Sequence, residues 1–419
     1  MKLFGVLCLA CVLASCTRPT RAVARPGAPD IIFILADDLG WGDVGWHGSE
    51  IRTPHLDRLA SEGARLEAHY AAPWCVPTRA ALMSGRFPAP HFQVGTGDNW
   101  AMPDDFPTLP EVLRDQGYTT SLVGKWHLGD TAPFRPLDRG FDRQYGPYHG
   151  GVDYFRRIDV YGGADWYRDA QPLDEPGYET DLLGAEAVRQ IGTPRTKPLF
   201  LQVCFNAPHE PLQVPDTWAT PYAALRPERR RFAGMVACLD HWVGQLRAAI
   251  ENTGRPTLIL FQSDNGAKVK GGGSNTPLSR GKGTCYEGGI RVPAFAWWPG
   301  AIPARSVTTP THTHDWLPTL CAVTGATPPD GIAGAALWPL LTGGGLTRST
   351  LPIYRQEPFP DWKGSRRRDR GAVLEGNWKL LINRRGTAEL YDLKADPGER
   401  RNLAHKQRAK TAELRALLP

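Results

Sequence analysis

The sequence lacks the features that mark several broad protein classes. It has no internal repeat and no low-complexity tract, and it contains no motif of RNA- or DNA-binding proteins. Neither sign of charge dominates, because 49 Lys and Arg residues stand against 43 Asp and Glu residues, a net charge of +6. An excess this small is too diffuse to argue for a nucleic-acid partner, although it suits an anionic substrate. With 41% hydrophobic and 22% charged residues among 419, we expect a folded globular protein of one large domain and a smaller one.

The N-terminal apolar run is too short to cross a bilayer. It covers residues 3–13 and is followed by small residues, which is typical of an export signal. The Leu-Ala-Ser-Cys segment that ends at Cys16 resembles a bacterial lipobox, so residues 1–16 are predicted to be a lipoprotein signal peptide with Cys16 as the membrane lipid anchor. Thr17 follows the cysteine, which favours an outer-membrane or periplasmic location, and residues 17–29 would form a tether. The alternative is an ordinary cleaved signal in which Cys16 has no role.

Few cysteines remain for structural use. Two of the eight leave with the signal, and four have no evident role: Cys204, Cys238, Cys285 and Cys321. An oxidising compartment permits disulfides. However, Cys204 lies in an apolar strand pattern and Cys238 in a helical one, so we expect buried thiols, and the sequence sets no pairing.

Four apolar segments, each followed by polar residues, predict a sheet. They are residues 30–36, 118–124, 198–205 and 257–263. Continuous apolar strands are typical of sheets covered on both faces. Helical patterns fall between them at residues 54–62, 109–116 and 228–251. This alternation predicts an α/β fold, with a largely parallel sheet covered by helices on both faces.

A stretch rich in Pro and Gly, residues 327–331, marks the expected end of the main domain, which would span residues 30–330. Short strand-like pieces and a final helix follow at residues 351–354, 371–374, 378–382, 388–393 and 406–418. We therefore predict that residues 331–419 form a smaller C-terminal α+β domain.

Acidic and amide side chains follow two of the predicted strands. Asp37 and Asp38 come after the first strand, and Asp264 and Asn265 after the fourth. Ligands gather at the carboxyl ends of parallel strands, and sites made only of oxygen suit Ca²⁺ or Mg²⁺ better than Zn²⁺. Adjacent aspartates on a regular strand point to opposite faces, so we expect the chain to leave the strand here, with Leu39-Gly40 allowing the turn. The alternative is a pair of solvated loops.

A cysteine, a proline and an arginine stand two residues apart in the order Cys75, Pro77, Arg79. Pro77 suits the first turn of a helix, and Gly85 would end that helix. Residue 75 would then lie at a helix N-terminus, where backbone amides favour an oxyanion. The alternative is a buried structural cysteine.

Basic side chains follow the ends of the remaining predicted strands, and another lies in a glycine-rich loop. Lys125 and His127 come after the second strand, His209 after the third, and Lys282 lies in the loop. Cations would stabilise charge spread over the oxygens of an anionic group, and His209 could protonate a leaving alcohol. The alternative for each is a purely structural role. His312 and His314 form a His-x-His pair, but no ligand cluster accompanies it, so we expect no metal there.

Taken in order, these segments resemble the sulfatase family, and most closely its arylsulfatase B (N-acetylgalactosamine-4-sulfatase) group. The matching tracts include residues 36–41, 51–57, 124–129, 209–215, 264–266, 287–289 and 315–320. The Cys-x-Pro-x-Arg motif with Leu-Met-Ser-Gly at 82–85 is similar to the signature in which the cysteine is oxidised to formylglycine. A separate formylglycine-generating enzyme would carry out that step.

The resemblance implies an alkaline-phosphatase-like α/β domain and a sulfuric ester hydrolase of arylsulfatase type. It implies Ca²⁺, with Mg²⁺ as the alternative, held by Asp37, Asp38, Asp264, Asn265 and the modified residue 75. It assigns Arg79 to stabilising the hydrated aldehyde. It assigns sulfate binding to Lys125, Lys282 and His209, and the elimination that regenerates the aldehyde to His127.

The resemblance leaves the sugar and the sulfated position open. The tract 145–154 matches only loosely and is expected to shape the pocket, and residues 359–369 have no counterpart in the family. The basic residues 366–368 and Arg370 form a solvated face or, alternatively, a subsite for acidic groups on a sugar chain. We expect a sulfated small molecule or glycan as substrate. The alternatives are a phosphonate or phosphate ester hydrolase of the same superfamily and a non-catalytic lipoprotein that binds sulfated glycans.

Overall fold

The protein is described by a computed structural model that covers residues 27–87, 101–355 and 369–418. The predicted signal peptide with Cys16, the tether up to residue 26, and the basic residues 366–368 lie outside the described residues. None of the helices in the described ranges combines the length and the apolar character that a membrane span requires.

The strands of the described residues fall into three sheets. In chain order they are β1 (Asp30–Ala36), β2 (Ala64–Leu66), β3 (His69–Tyr70), β4 (Thr119–Gly124), β5 (Arg143–Gly146), β6 (Tyr167–Arg168), β7 (Gln171–Pro172), β8 (Leu199–Cys204), β9 (Thr257–Ser263), β10 (Ala294–Trp297), β11 (Arg305–Val307), β12 (Thr311–His312), β13 (Thr350–Arg355), β14 (Gly371–Glu375), β15 (Trp378–Ile382) and β16 (Ala388–Asp392). The four strands predicted from apolar runs are β1, β4, β8 and β9.

The helices include each of those predicted from periodicity. They are α1 (Pro54–Glu62), α2 (Cys75–Ser84), α3 (Leu109–Asp115), α4 (Glu179–Gly192), α5 (Asp216–Ala219), α6 (Pro227–Thr253), α7 (Glu287–Ile290), α8 (Trp316–Thr324), α9 (Trp338–Leu341) and α10 (Arg408–Ala416). Gly85 ends α2 as expected, because its φ of 64° is one that glycine adopts without strain.

The main sheet has ten strands in the order β11-β2-β10-β9-β1-β8-β4-β5-β6-β7. Its centre is parallel, since β9, β1, β8, β4 and β5 all run the same way. The pairs that β10 forms with β2 and β9, and those that β6 forms with β5 and β7, are antiparallel. The carboxyl ends of the central strands therefore meet at one edge of the sheet.

Strand β1 shows why helices cover both faces. Its side chains alternate between the two faces, and all of them are buried. Ile32 and Ile34 join a core formed with α1, α4 and α6, whereas Ile31, Phe33 and Leu35 join a second core formed with α2, α3 and α8. The predicted α/β architecture, with both faces of the sheet covered, is confirmed.

The C-terminal sheet has the antiparallel order β13-β14-β15-β16. One face packs on α10 through Leu414, and the other packs on the main domain beside Cys285, Tyr286 and Ile290. Helix α9 lies beyond the predicted boundary at residue 330 and packs into the core of the main sheet. The division of the chain at residue 330 stays a prediction.

Among the described residues the cysteines are Cys75, Cys204, Cys238, Cys285 and Cys321, and all are free and buried. The expectation of buried thiols rather than disulfides is therefore confirmed.

Candidate active site

The residues singled out at four strand ends come together because those strands are neighbours. Strand β1 lies between β8 and β9, and β4 lies beside β8. The registers pair Leu35 and Gly124 with Cys204, and Ala36 with Ser263, so the strands end nearly level. The polar residues that follow each strand thus share one edge of the sheet, as the sequence predicts.

A first group of charges surrounds Asp37. Its Oδ2 atom accepts a very short hydrogen bond from Lys125 Nζ and lies 3.7 Å from Arg79 Nη2. Arg79 Nη2 also donates to Asp264 Oδ2 at 3.0 Å, and its Nη1 donates to the Lys125 carbonyl oxygen at 3.0 Å. These four side chains are at most 2% exposed, so their charges act on one another with little screening by water.

A second group surrounds Asp38. Its Oδ1 atom lies 2.6 Å from Lys282 Nζ and accepts a hydrogen bond of 2.7 Å from Asn265 Nδ2. Its backbone N–H donates to Asp264 Oδ1 at 3.2 Å, which joins the two groups. His209 Nε2 lies 3.8 Å from Asp38 Oδ2.

The backbone explains how adjacent aspartates converge. Asp38 has a φ of 65°, a left-handed conformation that few non-glycine residues adopt. The chain therefore turns at Asp38 itself, one residue earlier than the expected turn at Leu39-Gly40. His127 also has a positive φ, 61°.

Cys75 is the first residue of α2, as predicted, and is 8% exposed. Its Sγ atom lies 3.4 Å from His127 Nδ1. Burial raises the pKa of the Cys75 thiol, and the nearby Lys125 and Lys282 only partly oppose this. An unmodified Cys75 would therefore be a poor thiolate nucleophile.

The carboxylates and imidazoles are strongly perturbed. Burial raises the pKa of Asp37, but the charges of Lys125, Arg79 and Lys282 outweigh it and hold that pKa well below its usual range. Burial and the neighbouring Asp37 raise the pKa of Asp264. Burial lowers the pKa of His127 and of His209, which favours the neutral form of each ring.

The donor set fits a hard cation. Asp37 Oδ1 and Asn265 Oδ1 are buried and have no hydrogen-bond partner, which leaves two oxygen atoms with unused lone pairs. Ligand atoms of Asp37, Asp38 and His209 lie within 4.8 Å of one another. Within the described ranges this is the only group of three or more His, Cys, Asp or Glu side chains so placed. His209 therefore stands closer to the metal candidates than the sequence indicates.

His312 and His314 are buried, as is His69, and the rings of His312 and His314 contact each other with 4.2 Å between centroids. In the part of the chain that the structure describes, these two histidines belong to no group of three or more potential metal ligands. Arg370, the described part of the basic run, is exposed.

Sequence reasoning missed most of the residues that shape the opening of the site. A cavity of about 200 Å³ is lined by His127, Gly129, Asp130, Tyr148, His149, Gly150, Gly151, Val160, Tyr161 and His209. Part of the tract 145–154 does line it, as expected. A second cavity of about 310 Å³, beside His209, is lined by Asp38, Trp74, Glu210, Lys268, Lys282 and Gly283. The aromatic and glycine-rich composition of residues 145–154 was the one available signal.

Comparison with known proteins finds sulfatases, both among family profiles and among individual proteins. The profile of the Sulfatase family matches residues 29–326, and that of the N-sulphoglucosamine sulphohydrolase C-terminal region matches residues 281–418. Arylsulfatase J of Mus musculus is 35% identical over 411 residues, covering 89% of this chain and 67% of its own. N-acetylgalactosamine-6-sulfatase of Homo sapiens is 34% identical over 368 residues, covering 80% of this chain and 70% of its own.

A solved structure is similar over nearly the whole chain. The crystal structure of Ps i-CgsB in complex with k-i-k-neocarrahexaose superposes with a TM-score of 0.84 and 33% identity, covering 92% of this chain and 91% of that one. The alkaline-phosphatase-like fold expected from the sequence is confirmed.

Proposed function

The chain belongs to the sulfatase family and is a sulfuric ester hydrolase, and we propose that it hydrolyses sulfate monoesters of carbohydrates through residue 75 after its conversion to formylglycine. One observation carries the proposal. Cys75 begins a helix, contacts His127, and faces the charges of Lys125, Lys282 and Asp37 within one buried site. Glycan substrates are supported by the names of relatives, which include N-acetylgalactosamine-6-sulfatase, and by the neocarrahexaose bound to Ps i-CgsB.

Hydrated formylglycine would place two hydroxyl groups on one carbon. Attack of one hydroxyl on sulfur breaks the S–O bond to the alcohol, which leaves with a proton. Loss of the proton from the second hydroxyl then expels sulfate and restores the aldehyde. We assign proton donation to the leaving alcohol to the protonated form of His209, and removal of the second hydroxyl proton to the neutral ring of His127, because both rings line the same cavity and His127 Nδ1 lies 3.4 Å from Cys75 Sγ.

Ca²⁺ is the cation that we propose for the oxygen ligands, with Asp37, Asp38, Asp264 and Asn265 holding it beside residue 75. When bound, it would neutralise the crowded carboxylates and polarise a sulfate oxygen. The two lysines form ion pairs with the same carboxylates, Lys125 with Asp37 and Lys282 with Asp38. They would then be free to bind sulfate oxygens, whose developing charge they stabilise.

The experiment compares kcat/KM for an aryl sulfate, the matched aryl phosphate and the matched aryl phosphonate monoester, using protein from its native host. We expect the sulfate to be turned over fastest and Cys75→Ala to abolish that turnover. Faster turnover of the phosphate or phosphonate would instead support the second enzyme class, since the same fold occurs in a phosphonate monoester hydrolase of Agrobacterium radiobacter. Sulfate turnover by Cys75→Ala would contradict the assigned nucleophile.

We also propose that the protein is a lipoprotein of the bacterial periplasm or outer membrane, anchored at Cys16. The support is the Leu-Ala-Ser-Cys segment after an apolar run. Cys16→Ser should move the protein from the membrane fraction to the soluble fraction. Continued membrane attachment of this variant would count against the lipid anchor.

A further inference from the structure

The cavity of about 200 Å³ beside His127 and His209 is the space next to the reacting centre. A substrate whose sulfur lies at residue 75 places its alcohol portion against these two rings, and therefore in this cavity. The volume is below the range of roughly 300–1,000 Å³ that pockets for drug-sized ligands span. It has room for one sugar ring rather than for an oligosaccharide.

A cluster of charges forms one wall of the cavity. His149 Nε2 lies 3.3 Å from Asp130 Oδ2, while its Nδ1 lies 3.1 Å from Asp165 Oδ2 and 3.5 Å from Asp159 Oδ2. Hydrogen bonding to Asp165 raises the pKa of His149. Even as a cation, His149 balances only one of the three carboxylates, so the cluster carries net negative charge, and Asp130 is the carboxylate of the cluster that lines the cavity.

The cluster is held in place by the backbone. Asp165 is fully buried and accepts hydrogen bonds from the backbone N–H groups of Tyr148 at 2.9 Å and His149 at 2.8 Å. Asp130 and His149 line the cavity and keep 26% and 21% of their side-chain surface exposed. Both therefore present polar atoms to a ligand from a fixed position.

An apolar rim completes the cavity. Val160 and Tyr161 are 70% and 59% exposed, which is unusual for side chains of this kind. The Tyr161 ring meets the His149 ring edge to face, with 5.9 Å between centroids. The exposed Tyr161 ring offers an apolar surface for ring C–H groups, and the Asp130 carboxylate in the same lining offers a hydrogen-bond acceptor for a hydroxyl group.

We propose that this cavity is a subsite for one sugar ring that carries the scissile sulfate and no other anionic group, and that Asp130, His149 and Tyr161 determine that specificity. The inference rests on the proposed function and narrows it to a substrate class. A hydroxyl group of such a ring donates to the Asp130 carboxylate, which lines the cavity. A ring with a carboxylate of its own, or with a second sulfate, meets like charge at this wall and is selected against.

The test measures kcat/KM for monosulfated galactose and N-acetylgalactosamine and for their disulfated counterparts, together with a sulfated uronic acid and an aryl sulfate. We expect the singly charged sugars to be favoured about tenfold or more over the doubly charged ones, since close charges interact at this strength. Asp130→Asn removes one charge at constant shape and should reduce that ratio severalfold. Asp115→Asn, an exposed position at the end of α3, is the matched control and should leave the ratio unchanged.

Three results would overturn the inference: equal turnover of the two sugar classes, preference for the doubly charged class, or an unchanged ratio in Asp130→Asn. In each of these the aryl sulfate is still hydrolysed, so the proposed function stands while the subsite fails. Failure to hydrolyse any sulfate ester would remove the proposed function, and the subsite with it.

Discussion

At the scale of single residues, two residues of the site have backbone conformations that are energetically unfavourable. Asp38 and His127 have φ values of 65° and 61°, and such conformations cost on the order of 1–3 kcal/mol each. The surroundings enforce them: the Asp38 N–H donates to Asp264 Oδ1, and the His127 N–H donates to the Tyr148 carbonyl oxygen at 2.8 Å. These unfavourable backbone conformations place the Asp38 carboxylate and the His127 imidazole in the site.

Gly150 should be needed to keep His127 in place. A Cβ atom on this residue would lie 2.2 Å from His127 Cε1, closer than two carbon atoms can approach. We expect Gly150→Ala to displace the ring and lower kcat about 100-fold, the usual effect of shifting a catalytic group by about 1 Å. The control is Gly192→Ala, where the added Cβ meets nothing within 4 Å. Wild-type kcat in Gly150→Ala would mean that the position of His127 is not critical.

Asp264 should be needed for metal binding as well as turnover. It joins Arg79 to the backbone of Asp38, so its loss opens the carboxylate cluster. We expect Asp264→Ala to abolish Ca²⁺ binding measured by calorimetry, together with aryl sulfate hydrolysis. Asp115→Ala, on an exposed surface, is the control. Full activity in metal-free Asp264→Ala would contradict the proposed site.

At the scale of secondary-structure elements, the start of α2 is fixed by one hydroxyl group. Thr78 Oγ1 accepts a hydrogen bond from the Ala72 N–H at 2.9 Å and lies 3.1 Å from the Trp74 carbonyl oxygen, so it ties the chain before Cys75 to the first turn. Thr78 is fully buried. The position of residue 75 therefore depends on a residue inside the Cys-x-Pro-x-Arg motif that does not take part in the chemistry.

Replacing Thr78 by Val keeps the shape but leaves the Ala72 N–H unpaired. An unsatisfied buried group costs about 1–3 kcal/mol, so the free energy of unfolding should fall by that amount. Aryl sulfate turnover should fall as well, because the loop before residue 75 is released. Thr78→Ser, which retains the hydroxyl group, is the control. Equal stability of the Val and Ser variants in urea unfolding would show that this hydroxyl does not fix the helix start.

The elements that sequence could predict are those with strong periodicity. Strand β1 is a continuous apolar run, and α1 begins at a proline, so both have the bounds that the sequence predicts. The cavity wall around His149 could not be predicted, because residues 147–165 form turns and isolated bridges without periodicity. Strand position brings Asp37 and Asp264 together, whereas His149 and Asp130 meet only through loop packing.

At the scale of the whole molecule, a buried ion cluster joins the C-terminal sheet to the main domain. Lys379 Nζ of β15 lies 2.8 Å from Glu287 Oε1 of α7 and 2.8 Å from Glu399 Oε1. Glu287 also accepts a hydrogen bond from the Tyr70 hydroxyl at 2.9 Å, and its N–H donates to Glu399 Oε2 at 2.7 Å. The ion cluster thus connects the C-terminal sheet to α7, which follows the loop that carries Lys282.

Removing the cation of this cluster should destabilise the protein strongly. Lys379→Met leaves the buried Glu399 without a cationic partner and Glu287 with only Arg291, 3.4 Å from its Oε2 atom; breaking a buried ion pair typically costs about 3–5 kcal/mol. Adding Glu399→Gln removes one of those charges and should recover part of the loss, while Lys406→Met at an exposed position should have no effect. Urea unfolding measures all three. Equal stability of Lys379→Met and the wild type would show that the ion cluster does not hold the sheet.

The buried histidines should make the fold sensitive to acid. Burial lowers the pKa of His69 from 6.5 to about 4 and that of His314 to about 3. The unfolded chain binds these protons first, so the stability they provide is complete above pH 6.5 and is lost as pH falls towards 4. For His69 this amounts to about 3 kcal/mol. His69→Gln should flatten the pH dependence of unfolding, and the exposed His405→Gln should not. An unchanged slope in His69→Gln would contradict the assignment.

The proposed reaction depends most on the chemical state of residue 75. The direct measurement is the mass of the tryptic peptide of residues 66–79, taken from protein made in its native host. A formyl group in place of the cysteine side chain is the predicted result, together with hydrolysis of an aryl sulfate by the same sample. An intact cysteine thiol throughout a sample that still hydrolyses the ester would contradict the proposed nucleophile. An intact thiol in a sample without any activity would contradict the proposed hydrolysis.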